Sequence, residues 1–218
     1  KQEWTLDYNY FVFLRIQDTQ VQDTPVGTLV QETAQAWIDE KFVPDFDEYC
    51  LAKVIAARPS GNIVTWDGTT LTGLNGLLQK FYNTVTVVTN GGGDASNSVA
   101  WVPSTFADQL RAFITTFDGS DKGYTAGLNG LLGKLKNVMV VETVDEYFSA
   151  YPTVKAVVAD KKAIAAPTQK MTPKNGGRKF IKDVPGFGGS ELQLRARGGA
   201  FILGRKASAI ATLQSSSS

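Results

Sequence analysis

The chain has 218 residues, 43% apolar and 20% charged, the balance of a folded globular protein long enough for one large domain or two packed lobes. A net charge of +1 argues against a surface built mainly to hold nucleic acid, and the absence of histidine excludes histidine-dependent triads and histidine-ligated metals. One cysteine, Cys50, allows no internal disulfide, which suits a reducing compartment or an assembly that needs no staples.

No apolar run approaches the ~18 residues of a membrane helix, and no signal peptide is visible. The chain begins at Lys1 without methionine, as a processed product, a fragment or the ordered part of a longer chain would.

Trp4 to Ile16 reads as a strand: Trp4, Leu6, Tyr8 and Tyr10 alternate with Thr5, Asp7 and Asn9, and Phe11-Val12-Phe13-Leu14 continues the β-prone run. Gln17 to Thr24 is a polar turn. Pro25 opens a long amphipathic segment to about Ala57, with apolar residues at helical spacing on both sides of Pro44. A proline inside a helix costs roughly 3 kcal/mol, so two helical halves joined at a kink near Pro44 are expected. Cys50 sits on the apolar face as a small buried hydrophobe. Arg58-Pro59-Ser60-Gly61-Asn62 ends the segment.

Gly73 to Tyr82 is a short helix candidate, Thr84 to Thr89 a strand, and Asn90 to Asp94 a surface loop. Ser98 to Val102 is a strand, and Ser104 is the expected N-cap of a helix from Thr105 to Phe117. Asp118 to Gly123 is a turn, Val138 to Glu142 a strand, and Val144 to Tyr151 a short helical stretch ended by Pro152. Val154 to Val158 and Ala163 to Ala166 flank a turn at Asp160-Lys161-Lys162. Glu191 to Arg197 alternates cleanly, with one buried and one wet face. Strands at Gly199–Arg205 and Ser208–Leu213 follow, then a disordered tail, 215–218. A long helix first and strands last make this an α+β chain.

Motifs for chemistry are weak. Gly127 to Lys134 lacks the spacing and the hydroxyl of a phosphate loop. It repeats Gly73 to Lys80 without a physical reason. Gly186-Phe187-Gly188-Gly189 leads into a strand rather than a helix, so it is no dinucleotide fingerprint. Asp45, Asp47 and Glu48, or Asp118 and Asp121, lack calcium-loop spacing and read as solvated acids. Ser104 and Ser190 have no base. No catalytic, cofactor or metal residue is assigned. The basic residues Arg195, Arg197, Arg205 and Lys206 suit an ordinary wet sheet face, pairing with acids of a neighbouring subunit, or enclosed DNA.

The segment Lys41–Lys53, KFVPDFDEYCLAK, resembles the VVPEIDAYRxxK signature in the spine helix of tailed-phage major capsid proteins with the HK97 fold. Other segments agree in order. Trp4 to Asp23 resembles the returning E-loop strand and its junction with the spine helix. Val99–Ser104 followed by Phe106–Leu110 resembles the strand, SP, helix step. Lys136–Val141 resembles the GIPVV strand, Val157–Pro167 the ILIHKKAVVAP hairpin, and Gly199–Ile210 the terminal AFVLENKKxGIYA strand pair.

The resemblance implies an HK97-like capsid fold: a long spine helix, peripheral and axial lobes and an extended β-arm, the E-loop. It implies an arm at 1–20, a peripheral lobe at 21–60 plus 190–214, and a mainly axial lobe at 61–189, where loops such as Asn90–Asp94 or Asp118–Tyr124 meet at the capsomer axis. It also implies a non-enzymatic structural subunit. That subunit self-assembles into hexamers and pentamers of an icosahedral virion head around double-stranded DNA, in the host cytoplasm. Trp4, Tyr8, Tyr10 and Phe11 are the candidate inter-subunit contacts, poorly buried on a thin arm. Implied partners are further copies of the chain, decoration, portal and scaffolding proteins, and packaged DNA through non-specific contact, with no membrane.

Family members carry an N-terminal arm and an outgoing E-loop strand before the point where this chain begins. The lysine, asparagine and acid of an isopeptide crosslink have no evident place here, so no crosslink is expected. An encapsulin-like nanocompartment shell is the nearest alternative. A carboxylate-dependent hydrolase and a monomeric binding module are readings from other classes.

Overall fold

The structure, a computed structural model, describes residues 5–17, 26–70, 76–117, 131–169, 178–181 and 189–216. In chain order its elements are β1 (Tyr8–Gln17), α1 (Val26–Trp37), a π-helical segment (Ile38–Phe42), α2 (Val43–Ala57), β2 (Ile63–Trp66), α3 (Leu77–Asn90), β3 (Ser98–Pro103) and α4 (Ser104–Phe117). There follow β4 (Leu131–Leu135), β5 (Val138–Thr143), β6 (Val154–Asp160), β7 (Ile164–Ala165), β8 (Thr168–Gln169), β9 (Arg178–Ile181), β10 (Gly189–Gly198), β11 (Phe201–Ile202) and β12 (Ile210–Ser215). Short 3-10 turns stand between several strands. This is a mixed α+β fold, as expected. The chain divides into two compact units, 1–50 with 166–200, and 51–165 with 201–218.

In the first unit β10 pairs antiparallel with β1 over the whole length of β1, from Tyr8 opposite Gly198 to Gln17 opposite Gly189, and also with β8 and β9. The helix closes the inner face of this sheet. Trp37, Phe42 and Phe46 are buried with Leu192, Leu194 and Ala196. The expected break at Pro44 takes the form of a π turn just before it, in which the Val43 amide donates to the Ile38 carbonyl, five residues back. Pro44 has no N–H to give and its ring crowds the carbonyl four residues earlier. A wider turn relieves that crowding while the helix continues.

The second unit is built on a six-stranded sheet, order β2-β12-β6-β3-β5-β4. Its β2–β12 and β3–β5 pairs are parallel and the others antiparallel. One core joins α3 and α4 to this sheet through Phe81, Val85, Phe106, Leu110, Val158 and Leu213. A second core gathers Leu51, Val54 and Ile55 of α2 with Phe148, Val157 and Ile210.

Several expectations are corrected. Thr84–Thr89 is helix, the C-terminal half of α3, not a strand. Ser104 does not cap α4. Its hydroxyl donates to the Thr143 carbonyl, and Asp145 Oδ1 accepts from the Thr105 amide at 3.2 Å instead. Strand structure in Gly199–Arg205 is limited to Phe201–Ile202, with a 3-10 stretch at Gly204–Ala209. The turn at 160–162 is a 3-10 turn, Lys161–Ala163, whose cap is Asp160. Ser215 ends β12 and the Ser216 amide donates to the Trp66 carbonyl, so these two residues of the expected tail are ordered.

The division into units falls within α2, between Cys50 and Leu51, and again between Ala200 and Phe201. The reason is that the C-terminal half of α2 and β12 pack into the second unit. The turn at Asp118–Gly123, with Asp118 and Asp121, and the Gly127–Gly130 part of the repeat lie outside the described residues.

Candidate interaction surface

The alternation along β1 sets two faces. Tyr8, Tyr10 and Val12 turn inward, where they pack against the helix cluster. There the aromatics form a ladder: Trp37 stacks on Phe42, Phe42 on Phe46 and Phe46 on Tyr49, with centroids 5.6 to 6.1 Å apart. Tyr8 sits 5.3 Å from Phe46 and 4.8 Å from Tyr49, and Tyr10 sits 5.4 Å from Trp37. Such contacts add to area burial by about 0.5–1.5 kcal/mol per pair.

The polar ends of these rings are held by carboxylates. Tyr49 Oη donates to Asp7. The Tyr10 hydroxyl bonds the Asp45 side chain, which raises its pKa. Burial first, and then the Asp45 charge, push the Tyr8 hydroxyl up to about 12. Tyr49 is pushed up by burial and by its bond to Asp7.

Asn9, Phe11, Phe13 and Arg15 point the other way. Phe11 and Phe13 are each 52% exposed, and their rings meet edge to face at 4.4 Å. Across the strand pair Phe11 stands opposite Arg195 and Phe13 opposite Gln193. Arg195 is exposed. At the end of this face Arg15 Nε lies 3.2 Å from Glu191 Oε2, and Gln193 donates to Glu191 Oε1.

The expected contact residues thus separate. Tyr8 and Tyr10, each half-buried, pack against the helix cluster of their own unit, while Phe11 stands outward. Trp4 lies outside the described residues. Phe13 and Val43 are also exposed, and the period-2 pattern that turns Phe11 outward turns Phe13 outward too.

The four expected basic residues do not share one sheet. Arg195 and Arg197 lie on β10, whereas Arg205 and Lys206 lie on the 3-10 stretch of the second unit, where Lys206 Nζ donates to the Gly92 carbonyl. Arg197 Nε is buried without a hydrogen-bond partner among the described residues.

The second unit holds a cleft of about 410 Å³ lined by Trp66, Asp67, Thr105, Gln109 and Lys155 among others. Its carboxylate is already committed. Asp67 accepts from the Thr69 amide at 2.9 Å, the Thr70 amide at 2.8 Å and the Thr70 hydroxyl. These bonds, that of the Thr70 hydroxyl first, lower its pKa to about 2, so it holds no proton to give at neutral pH. Among the described residues no cluster of three or more His, Cys, Asp or Glu is placed to hold a metal ion, and no helix is long and apolar enough to cross a membrane.

No family model and no curated protein matches the sequence. Solved structures match closely in shape. A chain of Mycobacterium phage Bobi superposes with a TM-score of 0.67 at 13% identity, covering 96% of this chain and 72% of that one. The capsid structure of the cyanophage P-SCSP1u gives 0.63 at 12%, covering 96% and 72%. A chain in the asymmetric unit of the bacteriophage PhiM1 mature capsid gives 0.59 at 13%, covering 98% and 72%. Across nearly its whole length, this chain has the fold of phage capsid proteins.

Proposed function

We propose that this chain is a major capsid protein, a structural subunit that assembles with copies of itself into the shell of a bacteriophage head. The observation that carries this reading is the likeness to phage capsid structures over 96–98% of the chain. In finer detail, α1, the π segment and α2 correspond to the spine helix of the HK97 fold. The extended arm is 1–20, the peripheral lobe 21–60 plus 190–214, and the mainly axial lobe 61–189. Hexamers and pentamers are the expected capsomers, double-stranded DNA the expected content, and portal, scaffolding and decoration proteins the expected partners. The role is structural rather than catalytic. Trp4, Tyr8, Tyr10 and Phe11 are the proposed inter-subunit contact residues, Phe11 on the outward face of β1.

Negative-stain microscopy and light scattering of the purified chain test this reading. Closed particles or ring-shaped capsomers are expected. A monodisperse monomer at high concentration overturns it. Particles filled with protein cargo instead of DNA assign the chain to the encapsulin-like alternative.

A further inference from the structure

Two surfaces of the first unit carry opposite character. The outward sheet face presents Phe11 and Phe13 with Arg195 beside them. The back of the helix presents the reverse. Between Val26 and Cys50 the sequence holds Glu32, Asp39, Glu40, Asp45, Asp47 and Glu48 against Lys41 alone. Of these acids, Glu32, Asp39, Glu40, Asp45 and Asp47 are exposed, Asp45 being bonded to Tyr10, and Val43 is 41% exposed one turn beyond Asp39 and Glu40.

We propose that the outward sheet face at Phe11, Phe13 and Arg195 docks on the acidic helix back at Glu32, Asp39, Glu40 and Val43 of a second copy of this chain. The inference rests on the shell reading and names the surfaces that hold neighbouring subunits together.

Three observations favour this occupant. Two adjacent half-exposed phenylalanines with an arginine are the residue types enriched at the centres of protein interfaces. A patch pairing with its own copy would set Arg195 against Arg195, whereas helix back against sheet face brings opposite charges together and suppresses the like-charged docking. The helix covers one face of the sheet through its aromatic ladder, so the two patches lie on opposite sides of one unit. A contact between opposite sides is heterologous: each copy offers one patch forward and one backward, so the contact propagates and forms a ring where its rotation closes.

The test is a charge swap in the full chain, read by light scattering and microscopy at a concentration where the wild type assembles, with circular dichroism to confirm folding. Arg195→Glu is expected to lower the assembled fraction at least tenfold. Asp39→Lys combined with Glu40→Lys is expected to do the same. The chain carrying all three substitutions restores opposite charges across the contact and is expected to recover assembly. If the wild type assembles and the charge variants assemble equally well, this proposal is overturned and the shell reading stands. Folded single-face variants that lose assembly without recovery in the combined chain also overturn it, because the two faces are then not partners. A wild type that stays monomeric overturns both.

Discussion

The Phe46 ring fills the space that a side chain on Gly198 would need: a Cβ there would stand 2.3 Å from Phe46 Cε2 and 2.7 Å from Cζ. Glycine at this point of β10 is what lets the helix approach the sheet so closely. Gly198→Ala is expected to cost about 1–3 kcal/mol through overpacking. Gly91→Ala is worse placed, because its Cβ would meet the Ser208 carbonyl oxygen at 1.9 Å and backbone does not step aside as a ring does. Gly61→Ala, with nothing within 4 Å, stays within about 0.5 kcal/mol. Urea unfolding midpoints of the three variants check the ranking.

Asp160 is buried yet ionised. Burial pushes its pKa up, but the Lys162 amide, the Asn97 side chain, the Asp94 amide and the Lys206 charge outweigh it and hold the carboxyl below its ordinary value. The bonds measure 2.9 Å from Lys162, 2.6 Å from Asn97 and 3.3 Å from Asp94. A folded-state pKa below the unfolded one gives stability that is present above the unfolded value near 4. It is lost as the pH falls through the folded value. Asp160→Asn is expected to lose about 1–3 kcal/mol at pH 7. Its deficit against the wild type should narrow below about pH 4, as urea titrations at a series of pH values will show. A deficit that is constant with pH would count against the linkage.

Cys50 is expected to resist thiol reagents. Burial, with a smaller contribution from Asp47, pushes its pKa up to about 12, and the thiolate is the reactive form. At pH 8 the native chain should react with a disulfide reagent at least roughly a hundredfold more slowly than the urea-unfolded chain, whose thiol has a pKa near 8.5. Equal rates would show that the helix opens readily at this point.

The two faces of β1 should separate stability from association. Phe11→Ser with Phe13→Ser removes rings that are half in water already, and should change unfolding by no more than about 1 kcal/mol. Phe46→Ala empties the centre of the aromatic ladder and should cost about 3–5 kcal/mol. Thermal melts beside light scattering check the pair: the first variant keeps its melting temperature and loses assembly, whereas the second loses its melting temperature.

Much of this architecture was legible because period and packing agree. The alternation in β1 reappears as a strand, and the alternation in β10 and the helical spacing around Pro44 each reappear as an element with the expected buried face. The failure at Thr84–Thr89 has a physical cause. Its β-branched run favours a strand locally, but Leu77, Phe81, Val85 and Val88 recur at helical spacing and are all fully buried in one core. The threonines that would weaken a helix turn their hydroxyls to its own carbonyls: Thr84 to Lys80, Thr86 to Tyr82 and Thr89 to Thr86. Tertiary burial overrode propensity. The cap of α4 was illegible for another reason, since Asp145 lies 40 residues away from the amide it satisfies. The fold beyond these elements was reached through family resemblance, and the outward Phe13 and the acidic helix back became visible once strand register was known.

The π turn before Pro44 acts as a one-residue insertion that the helix has absorbed. In an unbroken α-helix each residue turns the face by about 100°, so Trp37 and Phe42, five apart, would diverge by about 140°. The wide turn cancels that drift, and both rings stack against the same sheet with Phe46 and Tyr49 in line behind them. Deleting a single residue between Ile38 and Phe42 would remove the bulge and leave the faces aligned, whereas regular helix forced on the unchanged sequence would swing every later side chain round by about a quarter turn. Phe46 would leave the notch at Gly198. The reading frame of the helix surface, not its continuity, is what this irregular turn preserves.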